Sequence, residues 1–420
     1  MRYLIIIAAL FLAMTCYSVP VKRATIDLTV HPDEGTISAS TVLLVHPEKG
    51  STGIQLLLNR RLEVTGLSAD VPVTGFRHEK TGHGPYRYAP LATALTIDLA
   101  APASGEPFEI RIDIKGEVEP DDWGLTHVTP QWVELEVLYS GWFPFAPGEG
   151  LFDLDLRVDI PDGWILTGTG SPEFEDSLWV AEKRNVKDVV ILASPDMKSL
   201  PVGDALTLWY VDLPGDVPHH IISDTEQIRG RLDDWFGPVA GSHVDLVFSI
   251  RERGGGFARP GLVVMLYDTS FYTNGEVSQG FLRYLAHEVS HLWWNKAPAT
   301  SWQDWLNESF AEFTALMVLR ERFGEDVFKE KIESYRQGSE GTPPIRGISR
   351  GHEDAFTVLY RKGPVILADL EETVGREAMM EFLHALAGQK VDNTTGCLDV
   401  LEDVVSEDAR QQLEQALAEY

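Results

Sequence analysis

The feature that most constrains this chain is a five-residue run, His287-Glu288-Val289-Ser290-His291. It lies in a stretch, residues 281–295, that contains no glycine and no proline, so nothing in the backbone chemistry interrupts a helix there. On a helix, residues four apart stand one above the other on the same face. Two imidazoles placed that way can both reach one Zn²⁺ through ring nitrogens at about 2.0–2.1 Å, and Glu288 beside them can hold the water that the metal activates. A third ligand has to come from elsewhere in the chain. Glu308, in Trp305-Leu306-Asn307-Glu308-Ser309-Phe310-Ala311-Glu312, is the candidate, and it requires a second helix packed on the first, with Ser301 or a neighbour as its cap. Glu312 follows one turn later on the same face. It is either an acceptor that orients a ligating imidazole or a solvated charge.

Around this stretch the chain divides by periodicity. Residues 19–200 read as β structure. Apolar and polar residues alternate over 24–30, 95–99 and 108–114, and more loosely over 37–45; further strands are expected at 132–139, 152–160, 165–168 and 189–193. Turn signals such as Pro32-Asp33-Glu34-Gly35 separate them. From 201 to 345 the pattern mixes strands at 206–211, 244–250 and 261–266 with a helix at 225–236, the histidine helix and the segment 325–337. Residues 346–420 read as helices at 355–374, 376–386 and 409–419, the first broken or kinked at Gly363-Pro364. The expected class is multidomain α+β, a β-sandwich or saddle followed by a catalytic lobe and a short helical part.

At 420 residues the chain has room for two or three such domains. Its formal net charge of −29, with no Lys/Arg-rich block, excludes nucleic acid as a partner. That charge is read either as a solubility feature of an exported protein or as attraction for cationic peptides. Met1-Arg2 followed by an apolar run to about Cys16 reads as a secretory leader over residues 1–18, with cleavage near Ser18. Lipid attachment at Cys16 and a retained anchor are the other readings, although the run is short for a span. The expected location is therefore outside the cytoplasm, with membrane contact only if the leader is kept. Cys397 would then be the one thiol of the mature chain, with no internal disulfide.

Three runs together resemble the aminopeptidase N and leukotriene hydrolase family of zinc peptidases: His287 to Trp294, Trp305 to Ala311, and Tyr360-Arg361-Lys362-Gly363. The family shows H-E-x-x-H followed by an aromatic pair, then W-L-N-E-G-F-A, then Y-x-K-G. Tyr139-Ser140-Gly141-Trp142-Phe143-Pro144 and residues 152–164 resemble its N-terminal domain more loosely. The resemblance implies Zn²⁺ on His287, His291 and Glu308, Glu288 as general base, and Tyr360 as the donor that steadies the oxyanion. It also implies a β-saddle domain, a thermolysin-like catalytic domain and a helical C-terminal part.

The chain departs from that pattern in places. The spacing between His291 and Glu308 is shorter than usual, so the loop through Ala297-Pro298-Ala299-Thr300 is cut back. Where the family carries G-A-M-E-N, this chain reads Gly255-Gly256-Phe257-Ala258-Arg259. Ala258 then replaces the glutamate that grips a peptide amine, and Arg259 brings a positive charge that disfavours a protonated N-terminus. Gly255 and Gly256 are read as close backbone contacts to a substrate strand, against the alternative of a flexible turn. A second amine anchor in the family points to the neighbourhood of Leu135, with Glu134 as the better candidate by analogy.

The expectation is an exported zinc metallopeptidase with one Zn²⁺ per chain and peptide or protein substrates, aminopeptidase-like but without the amine-binding glutamate. Endopeptidase-like cleavage, a glycyl-aminopeptidase-type activity supported by Trp294-Asn295-Lys296, and a non-catalytic scaffold are the alternatives.

Overall fold

The computed structural model describes residues 19–120, 124–146, 150–239 and 243–419. The leader read at 1–18 lies outside them. Among the described residues no helix is long and apolar enough to cross a membrane.

Alternation builds the first lobe. In the strand Val21–His31, Ala24, Ile26, Leu28 and Val30 turn inward while Arg23, Thr25, Asp27 and Thr29 face the other way. This strand pairs antiparallel with Thr36–Val45 and parallel with Phe152–Asp159, at the centre of a seven-stranded sheet. A three-stranded sheet (Gly53–Asn59, Ala92–Leu99, Val73–His78) and a four-stranded one (Ile165–Gly168, Val190–Ser194, Val133–Glu136, His127–Val128) close over the same apolar core. The four-stranded sheet has two dry faces. Val133, Leu135, Ile191 and Ala193 face that core. Trp132, Val190 and Leu192 face the second lobe, where they meet Val247, Phe257, Leu262 and Val264. Residues 134 and 136 therefore also point at the second lobe.

The second lobe starts at Lys198, ahead of the expected boundary, because Lys198–Val202 already pairs with Leu206–Tyr210. Its sheet runs Lys198–Val202, Leu206–Tyr210, Val244–Ser249, Leu262–Leu266, Phe257–Arg259, with the last strand at the edge. Val244–Ser249 is buried along its whole length, as a parallel strand covered on both faces must be. The helices after residue 355 share one core with this sheet and with the histidine helix, so the helical C-terminal part is built into the second lobe.

Three local readings change. The helix expected at 225–236 begins at Val217, because Pro218 falls in the first turn, where its missing N–H interrupts nothing. The strand expected at 132–139 stops at Glu136 and becomes one helical turn, Val137–Ser140, closed by Gly141 at φ 63°. A helix not expected at all, Thr394–Val404, starts where the Asn393 side chain accepts from Gly396 N, and it buries Cys397, Leu398, Val400 and Leu401.

Candidate metal and catalytic site

The histidine helix is Gln279–Ser290, begun by Ser278, whose hydroxyl accepts from Phe281 N at 3.2 Å. Phe281, Leu282, Leu285, Ala286 and Val289 hold it against the core. The second helix, Trp305–Phe323, packs beside it at close range: Ser290 Oγ reaches both His287 O (2.8 Å) and Ala311 O (3.2 Å). Both imidazoles are oriented by groups that can only accept. His287 Nδ1 meets Glu312 Oε2 at 2.9 Å, and His291 Nδ1 meets Trp294 O at 2.8 Å. A neutral ring so held carries its hydrogen on Nδ1 and turns the lone pair of Nε2 to the site.

The two Nε2 atoms converge on Glu308 Oε2, at 3.5 Å from His287 and 3.4 Å from His291. That oxygen is buried and has no hydrogen-bond partner. One ligand atom from each of the three residues lies within 4.8 Å of the others. Two imidazole nitrogens, one carboxylate oxygen and an open fourth side fit a Zn²⁺ ion of the catalytic type. The charge balance fits as well. Burial resists charge on His287, yet Glu308 and Glu312 raise it to about 10, so the pocket favours a cation. Glu312 is one such carboxylate: burial alone would push it up, but His287, Arg283 and Tyr335 hold it at about 2. Its oxygens also take Arg283 Nη1 at 2.7 and 2.8 Å. The solvated-charge reading of Glu312 is thereby set aside, since it is 1% exposed.

Glu288 stands buried beside the candidate metal ligands, and burial raises its carboxyl above the ordinary value. The loop of residues 254–256 passes directly over it. A Cβ on Gly256 would lie 2.6 Å from Glu288 Oε1 and 2.6 Å from the Tyr284 hydroxyl, so no larger residue fits without displacing the carboxylate. Gly255 is fixed from the other side, its carbonyl accepting from Arg251 Nη2. Tyr360 lies over the site with its ring stacked on His287 (5.6 Å between centroids, 22°) and on Phe356 (4.5 Å, 19°). Burial and then Glu308 push its phenol well up, which keeps the proton on the oxygen.

The substrate side of the cleft differs from the sequence reading. Ala258 sits on the edge strand, paired only with Val263. Arg259 is not a free cation: its Nε binds Asp188 Oδ2 at 2.7 Å, and the guanidinium lies over Tyr139 and Phe257. Glu134 is not a free anion either. Trp132 Nε1 (2.8 Å), Ser249 Oγ and Arg251 Nη1 occupy its oxygens. The carboxylate left over is Glu136, two residues on and facing the same way. It is fully buried, and neither oxygen has a donor. Burial and then Glu134 push it well up, against the pull of Arg251 and Arg259. The cluster thus sets three carboxyl groups, Glu134, Glu136 and Asp188, against two guanidiniums, Arg251 and Arg259.

The peptidase family M1 domain matches residues 257–420, the part that carries His287, Glu288, His291, Glu308, Glu312 and Tyr360. Over those residues the chain is similar to peptidase family M1. Its sequence is 27% identical over 226 residues to a probable aminopeptidase 1 of Sulfurisphaera tokodaii, covering 50% of this chain and 26% of that protein. It is 27% identical over 161 residues to an aminopeptidase N of Haemonchus contortus, covering 34% and 16%. The matches thus span about a quarter or less of those relatives. The fold is similar to an M1 zinc metallopeptidase of Deinococcus radiodurans solved with a Tyr-Ser-Ala substrate (TM-score 0.70, 21% identity, 96% of this chain and 94% of that one). It is similar also to yeast LTA4 hydrolase solved with bestatin (TM-score 0.72, 18% identity, 95% and 67%).

Two features of this site carry no signal in the sequence. Asn307 clamps the shortened loop, with its side chain on Ala297 N (3.1 Å) and Ala297 O (3.0 Å). Asp304, raised to about 7 by burial and by Glu308, takes Asn307 Nδ2 at 2.8 Å and faces Arg350 Nε at 3.1 Å. No local signal marks Asn307 as a loop clamp, since its partner lies ten residues upstream in an irregular segment. For Glu136, strand alternation could have placed it with Glu134, but the distant partner that separates them, Arg251, is invisible to a local pattern.

Proposed function

We propose that this chain is a peptidase of family M1, a zinc-dependent metallopeptidase that hydrolyses peptide bonds, aminopeptidase-like in how it grips its substrate. The observation that carries the reading is the convergence of two Nε2 atoms, each with its Nδ1 tied to an acceptor, on a buried Glu308 oxygen that has no donor. His287, His291 and Glu308 would hold one zinc ion, which when bound polarises the scissile carbonyl and makes water acidic enough to attack at neutral pH. Glu288 takes the proton of the attacking water on its carboxylate and delivers it to the departing amine. Its raised affinity for a proton suits both halves of that transfer. The Tyr360 phenol, kept protonated, donates to the oxygen on which negative charge develops. The substrate backbone lies along the open edge of Phe257–Arg259, where the bare Gly256 lets it approach Glu288.

Although Ala258 replaces the family's amine-binding glutamate, Glu136 supports recognition of a free N-terminus. A protonated amine would bring the third positive charge to a cluster with three carboxyl groups and two guanidiniums. The names of the M1 relatives, aminopeptidases in both organisms, agree with that. The leader read in residues 1–18 supports export, which N-terminal sequencing of the mature protein checks.

The reading is tested on purified full-length protein. Metal analysis should give close to one zinc per chain. A peptide-library digest followed by mass spectrometry should show stepwise trimming from free N-termini, and Glu288→Gln should retain zinc but lose cleavage. Persistent cleavage by that variant would remove Glu288 from its role, and a folded, zinc-free protein would sink the metal reading.

A further inference from the structure

The segment that carries Tyr360 is not a regular helix. Gly363 N–H bonds to Val358 O, five residues back, so the backbone widens into a π-turn over Val358–Lys362. Pro364 follows, and it has no N–H. The two facts leave one carbonyl stranded. In an α-helix Leu359 O would accept from Gly363, which has gone to Val358; in the widened register it would accept from Pro364, which cannot donate. Leu359 is fully buried, so water cannot take the place of the missing donor. The donor comes from the other helix: Ser309 Oγ reaches Leu359 O at 2.7 Å.

That contact is tightly built. A Cβ on Gly363 would lie 1.9 Å from Ser309 Oγ, so the absence of a side chain at 363 is what admits the hydroxyl. On the opposite side Lys362 Nζ holds Thr342 O (2.7 Å) and Pro343 O (2.9 Å). Ser309 itself is fully buried, directly follows Glu308 in the chain, and does not reach the cleft.

We propose that Ser309 is a positioning residue for the reaction: its hydroxyl fixes the register of the π-turn and thereby where the Tyr360 phenol stands over the metal site. The inference rests on the peptidase reading for the role of Tyr360, but the hold on the turn can be measured without turnover.

The test compares wild type, Ser309→Ala, Tyr360→Phe and the double variant, all as full-length zinc-loaded protein, with Ser309→Gly as a second removal of the hydroxyl. Tyr360→Phe should lower kcat about a hundredfold, as loss of one oxyanion donor does. Ser309→Ala should lower kcat about tenfold with KM within about twofold, through misplacement of that same donor. In the Tyr360→Phe background the serine substitution should change kcat by less than about twofold, because the two act as one unit. Zinc affinity from chelator competition should not move. An equal fold-loss in both backgrounds, or a loss that tracks zinc affinity, overturns the proposal. Amide exchange over residues 358–362 is read on the same samples: faster exchange in Ser309→Ala supports the hold on the turn, and unchanged exchange overturns it even in a chain that cleaves no peptide.

Discussion

Glu312 gives the sharpest quantitative expectation. Three donors converge on its carboxylate: His287 Nδ1 at 2.9 Å, Arg283 Nη1 at 2.7 Å and Tyr335 OH at 2.5 Å. In Glu312→Gln the amide keeps the shape but offers one acceptor oxygen and two hydrogens, so at least one of these donors, all in a nearly dry site, faces a like group. Loss of an orienting partner of a metal-ligating histidine typically costs 10–100-fold in metal affinity, about 1.4–2.7 kcal/mol. The metal-free protein should also respond to acid. Burial pushes the Glu312 carboxyl up, but its three partners bring it from an ordinary 4.5 to about 2. A depressed folded-state value means that the unfolded chain binds the proton more readily. The stabilisation, roughly 3 kcal/mol, is therefore complete above about pH 5 and fades as pH falls from 4.5 through 2. In Glu312→Gln that contribution is gone at every pH. Chelator competition would give the zinc dissociation constant, and urea unfolding of metal-free protein at neutral and acid pH would give the slope. A dissociation constant within twofold of wild type, together with an unchanged acid limb, would refute the orienting role.

Other expectations follow from single contacts. Gly256→Ala places a methyl 2.6 Å from Glu288 Oε1, so peptide cleavage should fall about a hundredfold with little change in melting temperature; steady-state kinetics and a thermal melt decide between this and a flexible turn. Glu136→Gln should raise KM about tenfold for peptides with a free amine and leave N-acetylated ones unchanged; an equal effect on both would remove Glu136 from amine recognition. Arg320 pairs with Glu371 at 2.9 Å inside the helical core and lies over Phe328. Arg320→Met strands the carboxylate and should cost about 3–5 kcal/mol in urea unfolding.

What the sequence disclosed depended on the reach of each interaction. His287, Glu288 and His291 are related by one helical turn, and the rule that brings them together is local. Glu308 required only that a second helix pack nearby, which the apolar face of 305–319 makes compulsory. Glu312 was ambiguous because its face was legible but its partners Arg283 and Tyr335 lie on other elements. Glu134 and Glu136 share a strand face, and it is Ser249 and Arg251, more than a hundred residues later, together with Trp132, that make one occupied and leave the other bare. Arg259 read as a free charge for the same reason, since Asp188 belongs to the other lobe. The helix Thr394–Val404 was hidden by its opening, Asn393-Thr394-Thr395-Gly396, whose composition reads as a loop until the asparagine is seen to cap it.

Arg251 has a consequence beyond its two contacts. Its guanidinium grips Glu134 in the β lobe with one nitrogen and the Gly255 carbonyl in the metal-bearing lobe with another. The glycine loop over Glu288 therefore takes its stiffness from a strand in the other half of the molecule. Contact between the two lobes is thus part of what holds that loop in place. Transplanting the second lobe onto a different partner would need a carboxylate at the position of Glu134 to restore it.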